Sequence, residues 1–259
     1  MVGVNFSVKD KVAIVTGGSK GIGRAIAITL AEHGADVAIA ARGREALEKT
    51  RSDIEATGRR CVAFTADMAD EQEWHRLVDE TIAALGGVDI LVNNAATASA
   101  YGSIAKTDSA SWDLVMKVNL KAPFVLSSLC LPSMKSRGGG SVIHITSNEA
   151  IRPSFGLGAY SVSKGALVTL AQVCAKEWAR NKIRVNCIAP GLVRTEMALG
   201  LVEMVEKSGR YPNPMHRVAE PEEIAAIALY LASGAGGYAT GQTFVVDGGE
   251  LVLAPTDQN

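Results

Sequence analysis

VAIVTGGSKGIG, residues 12–23, decides the fold. Val12–Thr16 is a short apolar, β-branched run of strand length, and an amphipathic stretch of helical spacing, Ile22–His33, begins almost at once behind it. The two are joined by glycines at 17, 18, 21 and 23. A strand that enters a helix through a glycine turn brings backbone close to an anion and aims the unpaired N–H groups of the helix end at it. The spacing Gly17-x-x-x-Gly21-x-Gly23 differs from GxGxxG, and no GK[ST] follows. A turn that is merely tight is the competing reading. Its place directly after a first strand favours a dinucleotide phosphate, with Gly17, Ser19, Lys20, Gly21, Ile22 and Gly23 as candidate contacts.

The alternation continues along the chain. Further apolar runs of strand length lie at 37–41, 61–65, 90–93, 142–146, 183–188 and 243–246. Several are apolar throughout, as strands covered on both faces should be. Between them stand candidate helices at 44–57, 70–85, 109–120, 160–180 and 221–231, the last opened by Pro221 followed by Glu222 and Glu223. The pattern predicts a single-domain α/β protein over 1–259: a Rossmann-like, doubly wound parallel sheet of about seven strands with helices on both faces. The irregular stretch Pro190–Ala219 is too long for a plain connection and is expected to be a substrate lid.

Composition narrows the function. Of 259 residues, 47% are hydrophobic and 20% charged, and 26 basic against 27 acidic side chains leave a net charge of -1. That balance argues against a nucleic-acid partner held by bulk electrostatics. No apolar run approaches the ~18 residues of a membrane span, and MVGVNFSVKDK does not read as a signal peptide. Four scattered cysteines and four histidines suggest neither disulfides nor a metal site. A cytoplasmic, metal-free protein is expected.

At the end of the second run, an acid would bond a free ribose 2′-hydroxyl and repel a 2′-phosphate. This run ends Ala40-Ala41-Arg42. Arg42, with Lys20, suits a 2′-phosphate through charge-assisted hydrogen bonds, so NADP(H) is favoured over NAD(H). Arg42 as a solvated loop residue is the alternative.

Ser147 follows the 142–146 run, where open α/β sheets place ligands. Tyr160 and Lys164 are four apart on a predicted helix, one turn apart on one face. An ammonium beside a phenol favours the phenolate. The trio therefore suits proton exchange between Tyr160 and an alcohol or carbonyl oxygen, with Ser147 bonding that oxygen and Lys164 lowering the phenol pKa and binding the nicotinamide ribose. Tyr-x-x-x-Lys alone is a common surface pattern; its company gives it weight.

With these residues in place, the chain resembles the short-chain dehydrogenase/reductase family from about Lys9 to Gly249. The resemblance rests on TGGSKGIG (16–23), Asp67, NNAA (93–96), Asn119, Ser147 thirteen residues before Tyr160, YSVSK (160–164) and NCIAPG (186–191). It implies that Asp67, with Met68 beside it, meets the adenine, and that Val92–Ala95, including Asn94 and Ala95, lines the adenosine side. Asn119 would hold a water that links Lys164 to solvent. Pro190, Gly191, Leu192, Val193 and Thr195 match the family's PGxVxT segment, and Ile188 backbone with Thr195 would bind the nicotinamide carboxamide. A homotetramer is implied, with a dimer second.

Two positions depart from the family pattern. Ala96 replaces a usual glycine, which strains the turn if φ is positive there and otherwise narrows the pocket floor. Glu149 stands where a small or apolar residue is usual, and either faces the substrate or pairs outward with Arg152. The substrate pocket is expected to draw on 96–101, 149–155 and the lid, with Ala96, Glu149, Phe155 and Leu192 as candidates. The expected activity is hydride transfer between NADP(H) and a small carbonyl or secondary alcohol. A 3-oxoacyl-carrier-protein reductase is one version, with Lys135, Arg137 and Lys176 toward the carrier. A non-catalytic cofactor-binding sensor or scaffold, and a dehydratase or epimerase, are the competing classes.

Overall fold

The computed structural model describes residues 3–98 and 101–252. Seven strands run β1 (Val12–Thr16), β2 (Asp36–Ala41), β3 (Cys61–Thr65), β4 (Ile90–Asn93), β5 (Gly140–Ile145), β6 (Ile183–Pro190) and β7 (Thr243–Val246). They alternate with helices α1 (Gly21–Glu32), α2 (Arg44–Glu55), α3 (Glu71–Leu85), α4 (Ser109–Met116), α5 (Ala122–Ser136), α6 (Gly158–Trp178), α7 (Leu199–Ser208) and α8 (Pro221–Ala232). All strand pairs are parallel, in the order β3-β2-β1-β4-β5-β6-β7.

Strand alternation explains the continuous apolar runs, because each strand feeds two cores. On one face Ile14, Ala38, Leu91, Val142 and Val185 meet Trp74 and Leu77 of α3, Leu126 and Met134 of α5 and Cys174 of α6. On the other, Val15, Ile39, Val92, Ile143 and Ile188 meet Ile26 and Leu30 of α1, Leu47 of α2 and Ile224 and Leu231 of α8.

Two helices exceed the sequence reading. The expected helix at 109–120 continues through a π turn at Lys117–Lys121 into α5, whose Pro123 falls in the first turn and whose Pro132 lies inside. The run Ser109–Ser136 has the length and hydropathy of a membrane span, and in this fold Leu126, Cys130 and Met134 bury one side of it in the core. The long segment 190–219 is not structureless either, since it contains α7. It is tied down by a bridge between Val193 and Ala219 and by Arg194, which pairs with Glu206 at 2.6 Å and Glu220 at 2.9 Å.

Candidate active site

The strand order reverses between β1 and β4, and there the carboxyl ends of the strands part to form a cleft. Its volume of about 860 Å³ lies within the ~300–1,000 Å³ usual for ligand sites. The glycine turn forms one wall. Gly17 and Gly21 hold φ of 67° and 51°, a region L side chains avoid. A Cβ at Gly17 would lie 2.6 Å from Asn94 Nδ2, and one at Gly23 would overlap the Gly17 carbonyl oxygen.

The turn is braced from β4. Asn94 Nδ2 donates to the carbonyls of Thr16 (2.9 Å) and Gly17 (3.3 Å), while Thr16 Oγ1 accepts from the backbone N–H of Asn94 and Ala95, both at 3.0 Å. Asn94 thus shapes the wall with its side chain, a role the sequence did not separate from direct cofactor contact. No side chain among the described residues caps α1 at Lys20, which leaves its first turn open to a phosphate. Ser19, Lys20, Gly21 and Ile22 line this wall.

Arg42 lines the same end and makes no ion pair among the described residues. Lys20 does: its Nζ lies 2.6 Å from Glu196 Oε2 in the 190–219 segment, with both side chains exposed. Nothing in the sequence linked these two positions, 176 residues apart. Asp67 and Met68 also line the cleft, though Asp67 Oδ1 accepts from Ala69 N at 2.9 Å and so stiffens its own turn.

Deeper in, β5 delivers Ser147 and the first turns of α6 deliver Tyr160 and Lys164, all onto the cleft. Ser147 Oγ accepts from Glu149 N at 3.2 Å and donates to Asn148 Oδ1 at 3.2 Å. Lys164 is 2% exposed; its Nζ donates to the Ile145 carbonyl at 2.8 Å and sits 5.5 Å from the centre of the Tyr160 ring. Burial brings the Lys164 ammonium down to about 8. The expected lowering of the phenol pKa is not seen. Burial pushes Tyr160 up to about 12, against the Ser147 hydrogen bond that favours the phenolate and with the Glu149 charge that disfavours it. Burial decides the shift, because a phenolate in this dry site loses more hydration than the Ser147 hydrogen bond returns.

Several expectations change. The Asn119 side chain spends both N–H groups on the Thr97 carbonyl (2.8 Å) and Ser163 Oγ (3.0 Å) and accepts from Thr97 N (2.8 Å). The side chain so braces the segment behind β4 and ties it to α6. Glu149 does not face the cleft: its carboxylate accepts from Ser154 N (2.7 Å), Ser154 Oγ (2.5 Å) and Ser161 Oγ (2.9 Å), fastening the 148–161 segment. Arg152 instead donates to the Glu250 carbonyl at 2.6 Å. Phe155 is 75% exposed and meets Tyr101 edge-on at 6.1 Å, outside the cleft lining. Ile188 is fully buried and its carbonyl accepts from Thr146 N (2.7 Å) and Oγ1 (2.8 Å), so it does not reach the cleft.

Ala96 and Leu192 do line the cleft, and Ala96 has no positive φ, so its methyl narrows the floor without strain. Pro190, Gly191, Val193 and Thr195 line the lid side, and Ala95 the opposite one. Thr97, Leu114, Val118 and Met197 join the wall, none flagged by a motif. Of the expected pocket segment 96–101, Ser99 and Ala100 lie outside the described residues. Lys135, Arg137 and Lys176 follow or end helices that run against the strands, so they lie at the amino edge of the sheet, the opposite end of the protomer from Ser147.

A family model described as "Enoyl-(Acyl carrier protein) reductase" matches residues 17–250. Human dehydrogenase/reductase SDR family member 4 is 38% identical over 93% of this chain and 87% of its own length. A 7α-hydroxysteroid dehydrogenase solved with NADH and 7-oxo glycochenodeoxycholic acid superimposes with a TM-score of 0.90 and 35% identity, over 96% of this chain and 98% of that one. The L-sorbose reductase of Gluconobacter frateurii, solved with NADPH and L-sorbose, gives 0.90 and 32% over 96% and 99%.

Proposed function

The chain belongs to the short-chain dehydrogenase/reductase family, and on that premise we propose that it is an NADP(H)-dependent carbonyl reductase or alcohol dehydrogenase. The observation that carries this reading is the convergence of Ser147, Tyr160 and Lys164 on a cleft that continues to the glycine turn and Arg42. The residues fit a dinucleotide: the glycines keep the wall open where a Cβ would fill it, and the uncapped end of α1 suits its pyrophosphate. Arg42, without a carboxylate partner among the described residues, and Lys20 suit a 2′-phosphate.

When bound, NADPH supplies the hydride. Tyr160, protonated at neutral pH in the free site, donates its phenolic proton to the substrate oxygen as charge develops there. The Ser147 hydroxyl bonds the same oxygen. Lys164, cationic at neutral pH, would bond the nicotinamide ribose while its charge stays near the phenol. Beyond these groups the wall is apolar, formed by Ala96, Leu114, Val118, Leu192 and Met197, which favours a ketone with an apolar body. Exposed Phe124, Val162, Val173 and Val245 support assembly, with a homotetramer as the first reading and a dimer the second. Free cysteines, three of them buried, suit a cytoplasmic setting.

The test is titration of purified protein with NADPH and NADH, then a ketone panel followed by nicotinamide absorbance. Tighter NADPH, turnover of apolar ketones, and its loss in Tyr160→Phe with cofactor binding retained are expected. Tighter NADH would make Arg42 a bystander. Tight cofactor binding with no turnover across the panel would overturn the catalytic reading in favour of a sensor.

A further inference from the structure

At the amino ends of β4, β5 and β6, on the side of the molecule opposite the cleft, a second depression of about 240 Å³ is lined by Lys11, Asp89, Arg137, Lys182 and Arg184. Asp89, 3% exposed, is its one carboxylate and is already engaged by Val12 N (2.9 Å), Lys11 Nζ (3.2 Å) and Arg137 Nη2 (2.7 Å). Arg184 is partly buried and spends its guanidinium on two neutral acceptors, the carbonyls of Gly236 (3.0 Å) and Ser233 (3.3 Å). Lys182 has no carboxylate partner among the described residues. Four cations therefore face one carboxylate. The C-termini of α5, α6 and α8 point this way and each contributes about half a negative charge, which still leaves the depression positive. Desolvating a guanidinium without a counter-charge is costly, and a bound anion would relieve that cost. Gly138, Gly139 and Gly234 put no side chain into the depression, which leaves it open to a small ligand.

We propose that this depression binds a small phosphoryl dianion, inorganic phosphate or a compact phosphate monoester, at a site separate from the cofactor cleft. The volume admits a headgroup and excludes a dinucleotide. Arg184 supplies the guanidinium N–H groups left over from its two carbonyl bonds, Lys182 and Lys11 supply mobile ammonium groups, and Arg137, held by Asp89, adds its charge.

The test follows thermal unfolding of the full chain against inorganic phosphate at constant ionic strength, with glycerol phosphate and succinate beside it. Lys182→Asn removes an unpaired cation, and asparagine tolerates the local φ of 58°, so the fold is kept. Arg42→Ser controls for phosphate entering the cofactor cleft. A saturable rise in Tm is expected for both phosphates, with apparent affinity at least about tenfold weaker in Lys182→Asn and unchanged in Arg42→Ser. A response to inorganic phosphate alone would restrict the ligand to the free ion, and one to glycerol phosphate alone would restrict it to monoesters. A response lost in Arg42→Ser but kept in Lys182→Asn, one matched by succinate, or no saturable response would overturn the proposal. None of these readouts depends on turnover, so the proposal stands or falls apart from the catalytic reading.

Discussion

Replacing Lys164 with methionine should stabilise the cofactor-free protein while abolishing turnover. Lys164 is 2% exposed, and its Nζ has the Ile145 carbonyl for a partner and no carboxylate among the described residues. Burial carries its pKa from 10.5 to about 8. At ~1.4 kcal/mol per pKa unit, the folded state carries a cost of about 3 kcal/mol at pH 7, where folded and unfolded chains both hold the proton. Between pH 8 and 10.5 the folded chain sheds that proton while the unfolded chain keeps it, so stability rises with pH and the cost shrinks. Methionine is similar in length and does not titrate; it forgoes one hydrogen bond worth about 1 kcal/mol. The variant should therefore exceed the wild type by about 2 kcal/mol at pH 7 and by less than about 1 kcal/mol at pH 9.5. Tyr160 does not disturb this window: its pKa is raised, so its own pH-linked loss of stability begins only near the unfolded value of 10. Urea midpoints of both proteins at matched concentration and both pH values measure the gap. A variant less stable than wild type at pH 7, or a gap that does not close by pH 9.5, would refute the reasoning.

Two further substitutions probe the glycine turn and the lid. Gly23→Ala places a methyl against the Gly17 carbonyl and the Asn94 amide, so it should cost about 1–3 kcal/mol of stability and weaken cofactor binding at least tenfold; a titration matching wild type would show that the turn yields freely. Glu196→Gln releases Lys20 from an exposed ion pair worth ~0.2–1 kcal/mol, which should tighten NADPH binding by roughly 1.4- to 5-fold and leave NADH unchanged. Equal effects on both cofactors would remove Lys20 from the 2′-phosphate argument.

Where sequence succeeded, a local rule and the tertiary environment agreed. The strand at 12–16 and those at 61–65, 90–93 and 243–246 fall where their apolar runs lie, because each run is bounded by turn residues and feeds a helix-covered sheet. The glycine turn was legible because three positions admit no Cβ or need positive φ. α5 was not, since serines and two prolines broke its periodicity and the π turn before it shifts the register of its faces. The partners of Glu149 and Asn119 were hidden for another reason. A carboxylate facing a ligand and one closing a loop through Ser154 and Ser161 have the same signature in one sequence, and only the path of the chain separates them.

The same logic explains why the expected phenolate is missing. Motif spacing places an ammonium one helical turn from a phenol, and proximity alone says that the phenol should ionise. Spacing says nothing about depth. Here the ammonium lies fully buried under the end of β5, beside His144, whose own pKa is driven to about 3 by burial and by the Lys164 charge. Dry surroundings disfavour charge on all three groups, so at pH 7 the site holds a protonated tyrosine and a lysine that keeps its proton less firmly than usual. A phenol that holds its proton is ready to give it to a carbonyl oxygen, and the phenolate left behind forms near the Lys164 ammonium, which offsets part of the desolvation penalty. The stability sacrificed at Lys164 and the readiness of Tyr160 to donate are thus two consequences of one desolvated pocket. A substitution that hydrates the pocket should lower the phenol pKa and remove the lysine's cost together.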